Sequence, residues 1–214
     1  MKIAVIGGGI VGLAIGYKLQ LKAPNKVIIF EKESEVGTHQ SGRNSGVLHA
    51  GLAYNPGSLK AKLAVQGVRQ MINYCKDYNI NHDICGKIVV ATLNDEIKNL
   101  EVVAQRGKKN GLQGLKFLSN KELKIREPYV HSIKSLLVPE EGIIDYKAVM
   151  DSLVNNIKEL GGKVLLSSPV KKIENRNKKI FIESNQDIEF DLLINCSGLQ
   201  ADLTYKNLTS KKRP

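Results

Sequence analysis

Apolar residues along this chain occur either in short continuous runs or at helical spacing. The mainly β-branched run at residues 2–6 is typical of a buried parallel strand, and the apolar positions within residues 13–21 keep helical spacing. A second apolar run at residues 27–30 predicts another strand. The chain therefore begins with a predicted strand–helix–strand unit, the element order that builds parallel sheets.

The same two patterns predict the later elements. They are helices at about 58–79, 94–109 and 145–160, a short helix capped by Ser119, and strands at about 85–92, 115–118, 163–167, 171–174, 179–183 and 190–195. The apolar face of the helix at 58–79 is expected to lie in the core and consists of Leu59, Leu63, Val68, Met71, Ile72, Cys75 and Tyr78. This alternation of strands and helices predicts the α/β class.

A glycine-rich turn, Gly7-Gly8-Gly9-Ile10-Val11-Gly12, joins the first strand to the first helix. Gly7 allows a tight turn, Gly9 lets the backbone approach a pyrophosphate, and Gly12 permits close packing of the helix on the strand. The backbone N–H groups and the positive end of the helix dipole then face the phosphates. This motif predicts a dinucleotide site.

The second strand ends at Glu31, about 20 residues beyond the last glycine of the turn. A carboxylate at this position accepts hydrogen bonds from both ribose hydroxyls and repels a phosphorylated ribose, which favours FAD or NAD over NADP. An ordinary NAD domain would soon begin another helix, but residues 34–57 show no helical period and are rich in Gly, Ser, Asn and His. A loop of this length is usually functional.

This loop and its flanks contain a recognisable set of residues: Glu31, Lys32, Gly37, Ser41, Arg43, Asn44, Ser45, Gly46, Val47, His49, Ala50 and Gly51. The set resembles the D-amino-acid-oxidase-like family of FAD-dependent oxidoreductases. Within that family, the chain is most similar to the enzymes that oxidise L-2-hydroxyglutarate, and the stretches 54–61, 85–92, 126–128 and 139–146 support the likeness. The resemblance extends over almost all of residues 1–202.

The resemblance implies FAD as the cofactor and a Rossmann-like FAD-binding fold of the α/β class. It implies an FAD-binding domain at 1–80 and 141–202, an inserted and incomplete α+β substrate domain at 81–140, and a divergent basic tail at 203–214. Val170 would present its backbone to adenine, and Gly198 would let the backbone approach the pyrophosphate or the flavin edge. The full set of candidate cofactor residues is Gly7, Gly9, Gly12, Glu31, Lys32, Ser41, Arg43, Asn44, Ser45, Gly46, Val170 and Gly198.

The reaction that the resemblance implies is oxidation of L-2-hydroxyglutarate, or a similar 2-hydroxy acid, to 2-oxoglutarate. The hydrogen on C2 passes as hydride to flavin N5 while a base takes the hydroxyl proton. His49 is the candidate base or carboxylate ligand, with packing against the flavin as the alternative. Tyr54 is a candidate for orienting the substrate, with loop packing as the alternative. FAD-linked glycerol-3-phosphate dehydrogenases have an arginine where this chain has Ala53, so Ala53 argues for a carboxylate substrate over a phosphorylated one.

Composition and charge restrict which kinds of partner are expected, but they add little about the fold. The 214 residues are 42% hydrophobic and 25% charged, as in ordinary globular proteins, and carry a net charge of +11. Basic residues are scattered among acids, so nucleic acid is not an expected partner; anionic FAD, a small dicarboxylate or acidic lipid headgroups account for the charge. Cys75, Cys85 and Cys196 lack metal-ligand spacing and are expected to be buried thiols, and no metal is predicted. His39, His82 and His131 are expected to be solvated.

The chain contains no run of about 18 apolar residues, so a cytoplasmic protein is expected, at most peripheral on the inner face of the cell membrane. Oxygen and a membrane quinone both remain as electron acceptors. Members of the family continue far beyond the counterpart of Asp202, which leaves two function classes. One is a flavin oxidoreductase, active alone or with a second chain that supplies the C-terminal half, and the other is a non-catalytic FAD-binding fragment. An amino-acid oxidase of the same family is a third alternative.

Overall fold

The structure, a computed structural model, describes residues 1–22, 26–176, 179–184 and 187–208. The chain forms two compact units, the first built from Met1–Asn44 and the chain from Tyr146 onwards, the second from Ser45–Asp145. The strands are β1 (Lys2–Ile6), β2 (Lys26–Phe30), β3 (Val47–Leu48), β4 (His82–Asp83), β5 (Lys87–Ala91), β6 (Lys116–Leu118), β7 (Lys134–Val138), β8 (Gly142–Ile144), β9 (Lys163–Leu165), β10 (Lys172–Arg176), β11 (Lys179–Glu183), β12 (Asp187–Phe190) and β13 (Leu192–Asn195). The helices are α1 (Ile10–Gln20), α2 (Leu59–Asp77), α3 (Asn94–Lys109), α4 (Asn120–Arg126), α5 (Tyr146–Glu159) and α6 (Ala201–Leu208).

Four parallel strands form the main sheet of the first unit, in the order β13–β1–β2–β9. Strand β1 is central and almost fully buried, as its apolar sequence predicts. The chain proceeds from β1 to β2 and β9 on one side and then returns to β13 on the other, so the strand order reverses beside β1. In open α/β sheets, ligands bind at the carboxyl ends of the strands next to such a reversal. The predicted Rossmann-like α/β fold is confirmed.

The antiparallel sheet β10–β11–β12 shares a core with the parallel sheet of the same unit. Ala4, Phe30, Ile182 and Phe190 are buried together in this core. The rings of Phe30 and Phe190 meet edge to face with centroids 5.8 Å apart, a favourable arrangement of two aromatic quadrupoles. Because Phe30 is the last residue of β2, this packing fixes the point from which Glu31 leaves the sheet.

A buried glutamine joins three elements of the first unit. Helix α1 packs against α5, and Gln20 is the last residue of α1. Its Nε2 donates to the carbonyl oxygen of Leu160 at 2.8 Å, and its Oε1 accepts from the backbone N–H of Val27 at 2.9 Å. Since both ends of the buried amide are hydrogen-bonded, Gln20 ties α1 to β2 and to the end of α5.

The second unit contains the antiparallel sheet β5–β7–β6 and a smaller sheet, β3–β8–β4. Helix α3 packs on β5 and β7. Helix α2 buries Ala61, Val65, Val68 and Cys75, whereas Leu59, Leu63 and Tyr78 of the predicted apolar face are exposed. In the first turns of α2, Ala61 and Val65 are buried in place of the predicted Leu59 and Leu63. A shift of two residues is about 200° around a helix, so this part of the predicted face is wrong.

Other differences from the sequence predictions are local. Cys85 is exposed rather than buried, because it lies in the turn before β5 and not in the strand. The second compact unit is Ser45–Asp145, and the predicted bounds of the FAD-binding domain, 1–80 and 141–202, stay a prediction. The predicted basic tail is helical as far as Leu208, in α6, and its residues 209–214 lie outside the described part of the chain.

Candidate functional site

A cavity of about 460 Å³ opens at the carboxyl ends of β1, β2 and β13, entirely within the first unit. Its volume lies in the range of small-molecule and cofactor sites. Its walls are the glycine-rich turn, the loop after β2, the segment after β9 and the segment after β13. The predicted cofactor residues that line it are Gly7, Gly9, Glu31, Lys32, Ser41, Val170 and Gly198.

The glycine-rich turn is shaped by backbone contacts that exclude side chains. Gly7 has a φ of 109°, and a Cβ on it would lie 2.4 Å from the carbonyl oxygen of Cys196. A Cβ on Gly12 would lie 2.0 Å from the carbonyl oxygen of Gly7. The backbone N–H of Gly7 donates to the carbonyl oxygen of Phe30 at 2.8 Å, which holds the turn against β2. Both glycines are therefore required by the packing of helix on sheet.

The N-terminal end of α1 is suited to an anion. Its N-cap is Gly9, and the first turn of the helix contains no acidic residue. The backbone N–H of Ile10 donates to the Ser41 hydroxyl at 3.0 Å. Val11 lines the cavity and is largely exposed. The helix dipole, with no acidic side chain in the first turn to oppose it, makes this end favourable for a phosphate.

Glu31 supplies a buried carboxylate at the cavity wall. The residue is only 7% exposed. Its Oε2 accepts from the backbone N–H of Gly8 at 2.7 Å, and its Oε1 accepts from the backbone N–H of Glu33 at 2.9 Å. Each carboxylate oxygen can accept more than one hydrogen bond. The carboxylate thus stabilises the turn and retains capacity for hydroxyl donors.

A charged cluster lies next to Glu31, in the loop after β2. Lys32 Nζ pairs with Glu33 Oε1, and His39 Nε2 lies 2.9 Å from both Glu33 Oε1 and Lys32 Nζ. The ammonium of Lys32 and, to a smaller extent, the imidazole of His39 lower the pKa of the Glu33 carboxyl. The prediction that His39 is solvated is confirmed, since its side chain is 61% exposed. The loop also folds back on itself and brings the imidazole to Glu33.

The wall after β13 is organised by Asn195. Its Oδ1 accepts from the Ser197 hydroxyl at 2.6 Å and from the Ser197 backbone N–H at 3.2 Å. The Ser197 hydroxyl also lies 2.9 Å from the Thr204 hydroxyl, which joins the turn to α6. Gly198 follows with a φ of 57°. Burial raises the pKa of the neighbouring Cys196 thiol, which favours its neutral form.

The remaining predicted cofactor residues lie away from the cavity lining. Gly12 is behind the turn, against Gly7. Arg43 and Asn44 are exposed, and the side-chain amide of Asn44 donates to the carbonyl oxygen of Ser41 at 2.8 Å. Ser45 and Gly46 belong to the second unit.

His49 and Tyr54 lie in the second unit, on the loop that follows β3. Asn110 Nδ2 donates to the carbonyl oxygens of Gly51 at 3.1 Å and Tyr54 at 2.9 Å, so one amide holds both ends of the turn. Lys60 Nζ lies 4.3 Å from the centroid of the Tyr54 ring. Sequence analysis missed Asn110, because nothing in the local pattern links it to a loop more than fifty residues earlier.

Glu141 also holds this loop in place, and sequence analysis missed it as well. It precedes β8 and is 1% exposed. Its Oε1 accepts from the backbone N–H of Ala50 at 3.1 Å, and its Oε2 lies 3.3 Å from His49 Nδ1. Lys87 Nζ pairs with the same Oε2. The one candidate base named from sequence is thus in contact with a buried carboxylate.

A family model of FAD-dependent oxidoreductases, DAO, matches residues 2–214 of the chain. The chain belongs to this family. FAD is the cofactor of the family, so the predicted cofactor and the resemblance are both confirmed.

Curated relatives of this DAO-family chain include L-2-hydroxyglutarate dehydrogenases. The protein of Indibacter alkaliphilus is 43% identical over 203 residues, a match that covers 94% of this chain and 51% of the relative. The human mitochondrial protein is 36% identical over 214 residues, covering 94% of this chain and 46% of the relative. The chain therefore spans about half the length of the curated relatives it matches.

Solved structures of other proteins share the fold of this chain. L-α-glycerophosphate oxidase from Mycoplasma pneumoniae, with FAD bound, has a TM-score of 0.84 at 24% identity. The match covers 97% of this chain and 56% of the oxidase chain. Glycine oxidase from Geobacillus kaustophilus has a TM-score of 0.83 at 22% identity, and the match covers 93% of this chain and 55% of the glycine oxidase chain. At these identities the likeness establishes the common fold.

The residues at the cavity fit the adenine dinucleotide part of FAD. A turn without room for Cβ atoms lets backbone N–H groups approach a pyrophosphate, and the acid-free end of α1 favours its charge. The buried carboxylate of Glu31 suits ribose hydroxyls. Within the described ranges, no group of His, Cys, Asp and Glu side chains is placed to hold a metal ion. Among the helices described, none is long and apolar enough to cross a membrane.

Proposed function

We propose that this chain takes part in FAD-dependent oxidation of L-2-hydroxyglutarate to 2-oxoglutarate. The observation that carries the proposal is the 43% identity to the L-2-hydroxyglutarate dehydrogenase of Indibacter alkaliphilus over 203 residues. The bound flavin supplies the chemistry by accepting the hydride from C2 of the substrate. The protein supplies the binding of the cofactor, the orientation of the substrate and a base.

The first unit binds the dinucleotide in this proposal. Gly7 and Gly9 bring backbone N–H groups to the pyrophosphate, and Glu31 accepts hydrogen bonds from the ribose. Lys32, next to Glu31 at the cavity wall, adds a positive charge beside the anionic cofactor. Val170 and Gly198 line the cavity from its other two walls, where backbone contacts to adenine and pyrophosphate are proposed.

The second unit supplies the base and orients the substrate. His49 is the proposed base for the C2 hydroxyl proton, and its side chain is 57% exposed, so a substrate can reach the imidazole. Tyr54 lies five residues further along the same supported loop and is proposed to orient the substrate. Ala53 leaves this loop without an arginine side chain at the position where glycerol-3-phosphate dehydrogenases have one. This difference supports a carboxylate substrate over a phosphorylated one.

Turnover is proposed to require sequence equivalent to the remaining length of the relatives, which can be supplied as a second polypeptide. The chain matches 51% of the Indibacter alkaliphilus protein. We propose that the second half completes the substrate domain around the residues described for the second unit. A small dicarboxylate and this polypeptide are thus the two proposed partners.

The test begins with the purified chain loaded with FAD and desalted. L-2-hydroxyglutarate is added anaerobically, first to the chain alone and then with the C-terminal half of the Indibacter alkaliphilus relative supplied as a separate polypeptide. Bleaching of the flavin absorbance in either case supports oxidation of L-2-hydroxyglutarate, and bleaching of the chain alone would contradict the need for the second polypeptide. D-2-hydroxyglutarate, glycerol 3-phosphate and amino acids serve as matched controls and are expected to leave the absorbance unchanged.

Two outcomes contradict the proposal in different ways. Bleaching by an amino acid, and not by L-2-hydroxyglutarate, would identify an amino-acid oxidase. Retained flavin that no substrate bleaches, even with the second polypeptide, would identify a non-catalytic FAD-binding module. His49→Gln is expected to keep the flavin and lose its reduction, because the variant lacks a base for the hydroxyl proton.

A further inference from the structure

The carboxylate of Glu141 is the most deeply buried charged group of the second unit among the described residues, and its partners need an explanation. The side chain is 1% exposed, next to a histidine that is 57% exposed. A buried carboxylate is costly unless it is paired and hydrogen-bonded. Lys87 Nζ pairs with it and balances its charge. The contacts to His49 and Ala50 go beyond what charge balance requires.

The carboxylate holds the loop at two points. Oε1 accepts from the backbone N–H of Ala50 at 3.1 Å, and Oε2 lies 3.3 Å from Nδ1 of His49. One contact fixes the main chain beside His49, and the other fixes the orientation of its ring. Together they restrict both the position of the residue and the rotation of its side chain.

The carboxylate itself stands on rigid backbone. The carbonyl oxygen of Glu141 accepts from the backbone N–H of Gly86 at 2.8 Å. The next residue, Gly142, begins β8, where a Cβ would lie 2.1 Å from the carbonyl oxygen of Asp83. These backbone contacts at the Glu141 carbonyl and at Gly142 restrict how far the side chain can move from His49.

The contact also determines which nitrogen of the imidazole carries the proton. An ionised carboxylate only accepts hydrogen bonds, so Nδ1 must be the donor when His49 is neutral. Nε2 then carries the lone pair. In nucleophile–base–carboxylate arrangements, a buried acid that orients a histidine in this way leaves Nε2 free to take a proton.

We propose that Glu141 is a positioning residue that holds His49 in the Nδ1–H tautomer, with Nε2 available to accept the hydroxyl proton of the substrate. Lys87 is the counterion of the buried Glu141 carboxylate. The catalytic consequence rests on the function proposed above for His49. The tautomer itself does not, so the two proposals can fail separately.

The test is nitrogen NMR of the full chain labelled with ¹⁵N-histidine, recorded at alkaline pH where imidazole is neutral. His49→Gln assigns the signals of His49 among the four histidines. In the wild-type chain, Nδ1 of His49 is expected to be the protonated nitrogen and Nε2 the unprotonated one. Nε2 as the protonated nitrogen in the folded wild-type chain would overturn the proposal, whatever the activity of the enzyme.

Variants separate the role in positioning from a role in folding. Glu141→Gln is expected to lose the preference for the Nδ1–H tautomer, because a carboxamide can donate to Nδ1 as well as accept from it. The matched control is Glu140→Gln, since Glu140 contacts Arg69 and not His49. The control is expected to leave the His49 signals unchanged. A tautomer that is the same in Glu141→Gln as in the wild type would contradict the proposal.

Removal of Glu141 alone leaves the ammonium of Lys87 without its partner and can unfold the unit. Glu141→Gln combined with Lys87→Met removes both charges together, and the same loss of tautomer preference is expected in this neutral pair. Lys87→Met alone would leave the buried carboxylate without its counterion, so the double variant is the informative one.

In the active complex, Glu141→Gln is expected to lower kcat at least about 10- to 100-fold, the cost of losing a group that orients a metal-binding histidine. KM is expected to change little, because the carboxylate does not touch the substrate. Glu141→Asp, which keeps the charge, is expected to recover part of kcat. An equal fall in kcat for Glu140→Gln, or a change confined to KM, would contradict the positioning role.

Discussion

Two regions are held in place by different means: the glycine-rich turn of the first unit and, in the second, the loop after β3 that carries His49, the His49 loop. The turn is fixed by backbone packing, with Gly7 and Gly12 so close to neighbouring carbonyl oxygens that no Cβ fits. The loop is fixed by side chains, the carboxylate of Glu141 at one end and the amide of Asn110 at the other. A site built from backbone fails when atoms are added, whereas a site built from side chains fails when atoms are removed.

The largest effect is expected from Gly12→Ala, which adds one methyl group to the turn. A Cβ there would lie 2.0 Å from the carbonyl oxygen of Gly7, so helix and sheet must separate. We expect a loss of about 2–3 kcal/mol in the free energy of unfolding and no retained FAD. Urea unfolding and the flavin absorbance after desalting measure the two effects.

Gly67→Ala is the matched control, because Gly67 lies within α2 and a Cβ on it would meet no atom within 4 Å. The same methyl group is expected to stabilise the chain by about 0.5–1 kcal/mol. Destabilisation by both substitutions to the same extent would contradict the view that crowding at the turn is the cause.

Glu31→Gln tests a side chain that stabilises the backbone turn. Gln cannot accept from both Gly8 and Glu33 through oxygen atoms, because one of its two terminal groups is an NH₂. We expect the Kd for FAD to rise about 10- to 100-fold, which corresponds to roughly 1.5–3 kcal/mol. Glu35→Gln, an exposed carboxylate in the same loop, is the control and is expected to leave the Kd unchanged.

Asn110→Ala removes two hydrogen bonds from the loop of the second unit. The carbonyl oxygens of Gly51 and Tyr54 lose their shared donor, at an expected cost of about 1–2 kcal/mol in the free energy of unfolding. FAD affinity is expected to stay the same, since the cavity lies entirely in the first unit. Asn73→Ala, at an exposed position of α2, is the stability control. A fall in FAD affinity for Asn110→Ala would contradict the view that the loop of the second unit does not contribute to FAD binding.

The smallest effect is expected from Ser41→Ala. Its hydroxyl accepts from the Ile10 N–H at the start of α1, so its loss costs about 1 kcal/mol in the chain without FAD. A phosphate at the helix end can accept from the same N–H, so FAD affinity is expected to change little. Ser34→Ala is the exposed control in the same loop. A loss of FAD binding in Ser41→Ala alone would assign the hydroxyl a direct role with the cofactor.

The contrast also explains what could be predicted from sequence. The turn from Gly7 to Gly12 and the acid at Glu31 follow from local spacing, because strand, turn and helix are consecutive. The residues that hold the His49 loop cannot be found from local spacing. Glu141 lies 92 residues from His49, and only the fold brings the two together. The apolar face predicted for α2 was partly wrong for a related reason. Periodicity locates a stripe on a helix, but the neighbouring elements decide which side is buried.

Retention of FAD by the purified wild-type chain tests the central claim most directly. The chain is incubated with FAD and desalted, and the visible spectrum is compared with that of Gly12→Ala treated in the same way. The account predicts that the wild-type chain remains yellow and that its flavin fluorescence changes saturably on titration, whereas the variant loses the colour. A wild-type chain that is folded by circular dichroism and retains no flavin would contradict the assignment of the cavity at the carboxyl ends of β1, β2 and β13 as the FAD site.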